Sequence, residues 1–152
     1  MKLTIHRGTH EIGGTCVELA TENSRILIDI GLPLVDEDGQ SFKLGNYLNL
    51  SKAELVEKKL AKDISGLYKE DIEVKQPDAI LISHSHPDHY GLMPFVKSEI
   101  PLYLSEGCLG LIKATYYFRG LEPIFKTVEI VENKRCFSIG DFKITPYLVD
   151  HS

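Results

Sequence analysis

The sequence predicts an α/β domain built on a mixed β-sheet, and three observations carry that expectation. Residues 2 to 6 alternate polar and apolar positions with the period of a strand, and two further strand-like runs follow by residue 31. After them, short apolar runs (DAILIS, 78 to 83, and IPLYL, 100 to 104) each lead into a helix-forming segment. The chain has 152 residues, 43% hydrophobic and 26% charged, which is enough to bury one core without disulfide staples.

Taken in order, residues 2 to 6 (KLTIH) read as a half-buried strand. The glycine-marked loop RGTHEIGG leads to a second strand at 14 to 20. A turn at ENS feeds SRILIDIG, 24 to 31, which closes a hairpin and carries Asp29 at its end. Residues 33 to 75 are less regular, and a lid or specificity loop over a cleft is one use for such a stretch. Within it Ser51 and Glu54 have capping-box spacing before a helix of about three turns. Residues 78 to 83 form a nearly continuous apolar run, which suits a strand covered on both faces. Residues 88 to 98 read as a helix, and residues 100 to 104 as a strand. A further helix starts at Ser105, with Leu109, Ile112 and Tyr116 on one face. Of Tyr116, Tyr117 and Phe118, two of the three are expected in the core. VEIVEN supplies a strand, and RCFSIGDFKITPYL a hairpin turning at residues 139 to 141. There is no internal repeat and no low-complexity segment.

Seventeen basic against 22 acidic residues give a formal net charge of −5, so nucleic acid would have to be held by a local surface. The N-terminus lacks the apolar run of about 7 to 15 residues that marks a secretory signal, and a cytoplasmic location is expected. No apolar stretch reaches the roughly 18 residues of a membrane span. Three separated cysteines, Cys16, Cys108 and Cys136, form no CxxC pair and are expected as small buried residues.

Half of the six histidines fall in one place. His84, Ser85, His86, Pro87, Asp88 and His89 follow directly on a strand and turn into a helix. His84 and His86 are two apart, which in extended backbone aims both imidazoles to one side. Pro87 suits the turn, and Asp88 at the first helical positions is favoured by unsatisfied amides. Such a corner is where open α/β sheets bind ligands. With this composition the pattern HxHxDH would arise by chance in on the order of one chain in a few thousand. Imidazole and carboxylate without thiolate favour zinc, with manganese or iron open. Two ligand pairs at different offsets suit two ions about 3.5 to 4 Å apart, sharing a hydroxide able to act as a hydrolytic nucleophile.

These residues resemble the metallo-β-lactamase fold, whose second motif is HxHxDH. ILIDIG, with Asp29, looks like its first motif, an aspartate supporting the histidine loop. VDHS, with His151, looks like its third. EIGG, IPLYLSEGCLGLI and the closing FSIGDFKITPYLVDHS look like the ribonuclease J-like branch, whose members often carry a β-CASP insertion and cut RNA or DNA. The likeness runs along nearly all of the chain except residues 33 to 75. It implies that His84, His86 and His151 hold one ion, that Asp88 and His89 contribute to a second, and that Asp88 is catalytic and orients the attacking hydroxide.

The resemblance further implies an αββα sandwich of two similar halves. Residues 1 to 152 correspond to the N-terminal part of that domain, with a mixed sheet and helices on its outer face. A second bridging aspartate and a last histidine would lie beyond Ser152, so the expectation is an incomplete domain that binds at most one ion tightly and hydrolyses little. The bare sheet face invites association with a second copy of the chain. The implied function is that of a metal-dependent hydrolase, a phosphodiesterase acting on RNA or single-stranded DNA. The alternatives are a hydrolase of small thioesters, esters or lactams, which the acidic charge favours, and a non-catalytic metal-binding module. His10 and Tyr90 are further candidates at the rim; an exposed turn histidine and an inward-packed tyrosine are the competing readings.

Overall fold

A computed structural model describes residues 1–35, 39–40, 45, 47–122 and 126–149. Six strands form one sheet in sequence order: β1 (Lys2–Arg7), β2 (Cys16–Ala20), β3 (Arg25–Ile28), β4 (Ala79–Leu81), β5 (Leu102–Leu104) and β6 (Val128–Ile130). β1, β2 and β3 are antiparallel neighbours, joined by a loop of residues 8 to 15 and a turn of residues 21 to 24, whereas β3 to β6 run parallel. The mixed sheet is therefore the one that the sequence predicts. Parallel pairs need long crossovers, and residues 33 to 75, 82 to 101 and 105 to 127 provide them.

Register explains the two cores. Leu27, Ile80, Leu102 and Val128 are successive partners across the sheet and share one face. On that face pack Ile112 and Tyr116 of the long helix together with Leu55, Leu60, Leu67 and Tyr68. Each such aliphatic side chain taken out of water contributes roughly 1.5 to 3 kcal/mol before entropy is charged against it. The opposite face carries Leu19, Ile26, Ala79, Leu81 and Tyr103. It is covered by the hairpin of β7 (Phe137–Ile139) and β8 (Phe142–Ile144), with the Tyr103 and Phe137 rings stacked at 5.2 Å. β4 is thus covered on both sides, as its apolar run predicts. The protein's own hairpin fills the middle of the face on which a second copy was expected. Toward the β1 edge Leu3 (59% exposed) and Ile5 (50%) remain open.

The helices differ from expectation in length. α1 spans Lys52–Glu57 and has the capping box, the Ser51 amide donating to Glu54 Oε2 at 2.8 Å and the Glu54 amide to Ser51 Oγ at 3.3 Å. It stops short of three turns because Lys59 takes φ 55°, and the amides of Leu60 and Ala61 both return to the Leu55 carbonyl. That reversal buries Leu60 and Ala61. Much of the irregular stretch is therefore core: Leu55, Leu60, Ala61, Ile64, Leu67 and Tyr68 are all buried.

The helix expected over residues 88 to 98 is instead α2 (Pro87–Tyr90) followed by a 3-10 turn, Met93–Phe95. α3 (Glu106–Phe118) is capped by Ser105 Oγ, which accepts from the Cys108 amide. Tyr116 is buried and Leu109 packs against the core, but Tyr117 (79% exposed) and Phe118 (84%) point outward, so one of the three aromatics is core rather than two. Cys16 and Cys108 are buried as expected; Cys136 is exposed. No helix among the described residues is long and apolar enough to cross a membrane.

Candidate metal centre

The chain leaves β4 at the middle of the sheet, and residues 82 to 92 are fixed mainly through their backbone. The Ile82 amide donates to the Tyr103 carbonyl and the Asp29 amide to the Leu81 carbonyl. A helix of four residues leaves most of its carbonyls without intrahelical partners. In α2 these are supplied from elsewhere: Pro87, Asp88 and His89 carbonyls accept from the amides of Leu32 (3.1 Å), Thr15 (3.1 Å) and Ile30 (2.8 Å). Those bonds explain the break in the predicted helix. The Asp88 and His89 carbonyls, which a longer α-helix would use, are already taken, and Pro94 has no amide to donate.

Close approach of these segments requires glycine. A Cβ on Gly31 would lie 1.6 Å from the Asp88 carbonyl oxygen. One on Gly13 (φ +85°) would meet Leu34 Cγ at 2.9 Å and Asp88 Cβ at 3.0 Å. The strand exit at Gly31 and the loop between β1 and β2 thus press directly on Asp88.

Asp29 sits just past β3 with φ 60°, a left-handed conformation that aspartate tolerates better than most residues. It is 2% exposed, and a carboxylate so buried needs full pairing. Oδ1 accepts the Ser83 amide at 2.8 Å, and Oδ2 accepts the Ser83 hydroxyl at 2.6 Å and lies 2.8 Å from His89 Nδ1. An ionised carboxylate can only accept, so the proton of a neutral His89 belongs on Nδ1 and Nε2 keeps a free lone pair. That Nε2 faces Asp88 Oδ2 at 3.6 Å.

His84 and His86 do lie on one side: His84 Nε2 is 2.7 Å from His86 Nδ1, with ring centroids 4.1 Å apart. The His84 and His89 rings are 5.3 Å apart. The structure therefore brings His84, His86, Asp88 and His89 together at one rim, with Asp29 beneath. His151 lies outside the described residues. Among the described residues no group of three or more His, Cys, Asp or Glu is arranged to hold an ion. The donor chemistry nonetheless fits a divalent cation. The 3.6 Å between His89 Nε2 and Asp88 Oδ2 is close to the separation of about 3.4 Å between two ligands of one tetrahedral ion. The close His84–His86 contact needs a proton between the two nitrogens.

Sequence reasoning missed two residues here. Ser83, one position before the cluster, joins Asp29 to His89, its Oγ being 3.2 Å from His89 Nδ1. A hydroxyl between an apolar strand and a histidine cluster is a visible signal for it. Arg7 is buried and braces the neighbouring loop; Glu11 lies four positions on, but its other partner, the Leu60 carbonyl, is 53 residues away. Of the rim candidates, His10 is exposed, and Tyr90 is 2% exposed and packs inward. Cys16 is buried, and that burial, aided by the charge of Asp29, pushes its thiol up to about 12.

The molecule is an α/β protein with a hydrogen-bonded imidazole and carboxylate cluster at the end of a central parallel strand. The chain belongs to the metallo-beta-lactamase superfamily: residues 11–103 match the Metallo-beta-lactamase superfamily and residues 65–152 match the Beta-lactamase superfamily domain. It is similar to Ribonuclease J of Helicobacter pylori (strain ATCC 700392 / 26695), 31% identical over 155 residues, with 100% of this chain and 20% of that protein covered. It also resembles Transcription termination factor FttA of Methanothermobacter thermautotrophicus, 30% identical over 96 residues, covering 62% of this chain and 12% of the relative. The chain thus spans about a fifth, or less, of the length of these relatives. Its fold is shared with the crystal structure of a protein of unknown function from Enterococcus faecalis V583. The TM-score is 0.75 at 22% identity, with 98% of this chain and 37% of that one covered.

Proposed function

We propose that residues 1 to 152 carry the larger share of a divalent-metal centre in a hydrolase that cleaves phosphodiester bonds of RNA or single-stranded DNA. The observation that supports this most is the His84, His86, Asp88, His89 rim held from below by Asp29, in a chain similar to Ribonuclease J along its whole length. His84, His86 and His151 would hold one ion, and Asp88 and His89 would contribute to a second, zinc being favoured by the donor set. When bound, such ions supply charge neutralisation and a water acidic enough to lose its proton near neutral pH.

The remaining steps belong to the protein. Asp29 holds the proton on His89 Nδ1 and so keeps Nε2 available. Ser83 fixes the rotamers of both residues. Asp88 would orient the attacking water and accept its proton as the water oxygen bonds to phosphorus and the bond from phosphorus to the sugar oxygen breaks, that oxygen taking a proton from solvent.

The acidic balance, −5 overall, favours the second reading, a small thioester, ester or lactam substrate. One experiment separates them. Zinc or manganese is titrated into the protein, and cleavage of end-labelled RNA is compared with that of a thioester in its natural full-length form. Metal uptake lost in the His84→Ala, His86→Ala double variant, with chelator-sensitive RNA cleavage, supports the nuclease. Thioester cleavage alone supports the second reading, and absence of metal uptake by the wild type overturns both.

A further inference from the structure

The loop between β1 and β2, residues 8 to 15, touches Asp88 twice. The Thr15 amide donates to the Asp88 carbonyl, and Gly13 stands against the Asp88 Cβ so closely that a side chain there would collide. The loop is also tied to the exit of β3, the Gly14 amide donating to the Leu32 carbonyl and the Gly31 amide to the Thr15 carbonyl. Seven of its eight residues precede Thr15, and glycine-rich backbone of that kind has little intrinsic reason to keep one shape.

What holds it is Arg7. Its Nε and Nη2 donate to the two oxygens of Glu11, both at 2.7 Å, a fork that fixes the orientation of the carboxylate as well as its distance. Its Nη1 donates to the Leu60 carbonyl at 2.6 Å, joining the loop to the turn after α1. The guanidinium stem lies under Gly14, where an added Cβ would come within 3.0 Å of Arg7 Cδ and Nε. Arg7 is 9% exposed and links a core turn, the loop and, one residue further, the support of Asp88.

We propose that Arg7 is a positioning residue for Asp88, acting through the Glu11 fork and the loop of residues 8 to 15. Its significance for catalysis rests on the preceding reading of Asp88 as a metal-binding and proton-accepting group. Arginine is required over lysine, since an ammonium cannot span both Glu11 oxygens and the Leu60 carbonyl in one plane.

The test is amide hydrogen exchange on the full chain, with zinc titration in parallel, for Arg7→Lys and Glu11→Gln. The milder Glu11→Gln keeps the side-chain volume and guards against simple unfolding of the first variant. The expected result is exchange at least about tenfold faster at the Thr15 and Leu32 amides, which donate to Asp88 and Pro87, with the Ile80 amide in the central strand unchanged. Affinity for the ion to which Asp88 and His89 contribute should fall by about tenfold in the same variants. Unchanged exchange at Thr15 overturns the proposal, as does a rise shared equally by Ile80, or faster exchange with zinc affinity intact. A wild-type chain that takes up no zinc would refute the metal reading of Asp88. The exchange pattern alone then decides whether Arg7 positions it.

Discussion

Asp29 and His89 stand 60 positions apart in sequence and meet at 2.8 Å, Oδ2 to Nδ1, below the rim of the sheet. The contact fixes which nitrogen of the ring is protonated, and its chemistry predicts different outcomes for two substitutions. Asp29→Ala leaves the Ser83 amide and hydroxyl and the His89 ring without their acceptor, and a loss of roughly 1 to 3 kcal/mol in chemical denaturation is expected. Asp29→Asn should fold nearly as well. Its amide nitrogen, however, can donate to His89 Nδ1 and drive the proton onto Nε2, so zinc affinity measured by calorimetry should fall about 10- to 100-fold.

Ser83→Ala removes the hydroxyl shared between Asp29 and His89 but keeps the backbone amide that Asp29 also accepts. The expected cost is about 1 kcal/mol in stability. Metal affinity should drop less than in Asp29→Asn, because the tautomer is retained. Equal losses in the two variants would contradict that ordering.

Gly31→Ala places a methyl group 1.6 Å from the Asp88 carbonyl oxygen, against backbone that cannot rotate away. The expected consequence is about 3 kcal/mol or more of destabilisation, or displacement of α2. Thermal melting of the variant, with ring-proton NMR of His86 and His89, reads both.

The three cysteines should separate cleanly by reactivity. Burial pushes the thiol of Cys16 up to about 12 and that of Cys108 up to about 11, with Asp29 adding to both, whereas Cys136 is exposed. A thiol reagent at pH 8 is expected to modify Cys136 alone in the native protein and all three in denaturant, as counted by mass spectrometry. Both raised values also cost alkaline stability. The native state holds these protons more firmly than the unfolded chain, so stability is intact below pH 9 and declines as pH rises toward about 11 and 12.

In acid the Arg7–Glu11 fork sets the direction. The hydrogen bonds from Arg7 hold the Glu11 carboxyl below its ordinary value of 4.5. Its contribution is therefore present above pH 4.5 and is lost as pH falls through the lower native value. Glu11→Gln should flatten the acid limb of a pH-stability curve in that window while leaving the neutral region lower than wild type.

The sequence and the structure agree where local chemistry decides. The Ser51–Glu54 box, the Ser105 cap and the turn at residues 139 to 141 are short-range signals, and the elements they start or join are present. Disagreement arises where distant backbone intervenes. Nothing in residues 88 to 98 announces that Thr15 and Ile30 will occupy the carbonyls of Asp88 and His89, so a helical pattern there reads longer than it is. The bracing role of Arg7 is hidden for the same reason only in part: Glu11 lies four positions on, but the Leu60 carbonyl is 53 residues away. Among Tyr116, Tyr117 and Phe118 one aromatic is core and not the expected two, because periodicity ranks positions on a helix but does not say how many of them a sheet will cover. At the rim, spacing alone put His84 and His86 on one side, and the coordinates agree for that pair.

β4 has parallel neighbours on both flanks, Ile26 to Ile28 on one side and Leu102 with Tyr103 on the other. Sliding it by a single position would swap its inward and outward side chains and break two ladders at once. The histidine loop is therefore anchored to a segment held from both flanks. Substitutions that loosen the outer strands β1 or β6 should be absorbed at the edges of the sheet, with the imidazoles left where they are.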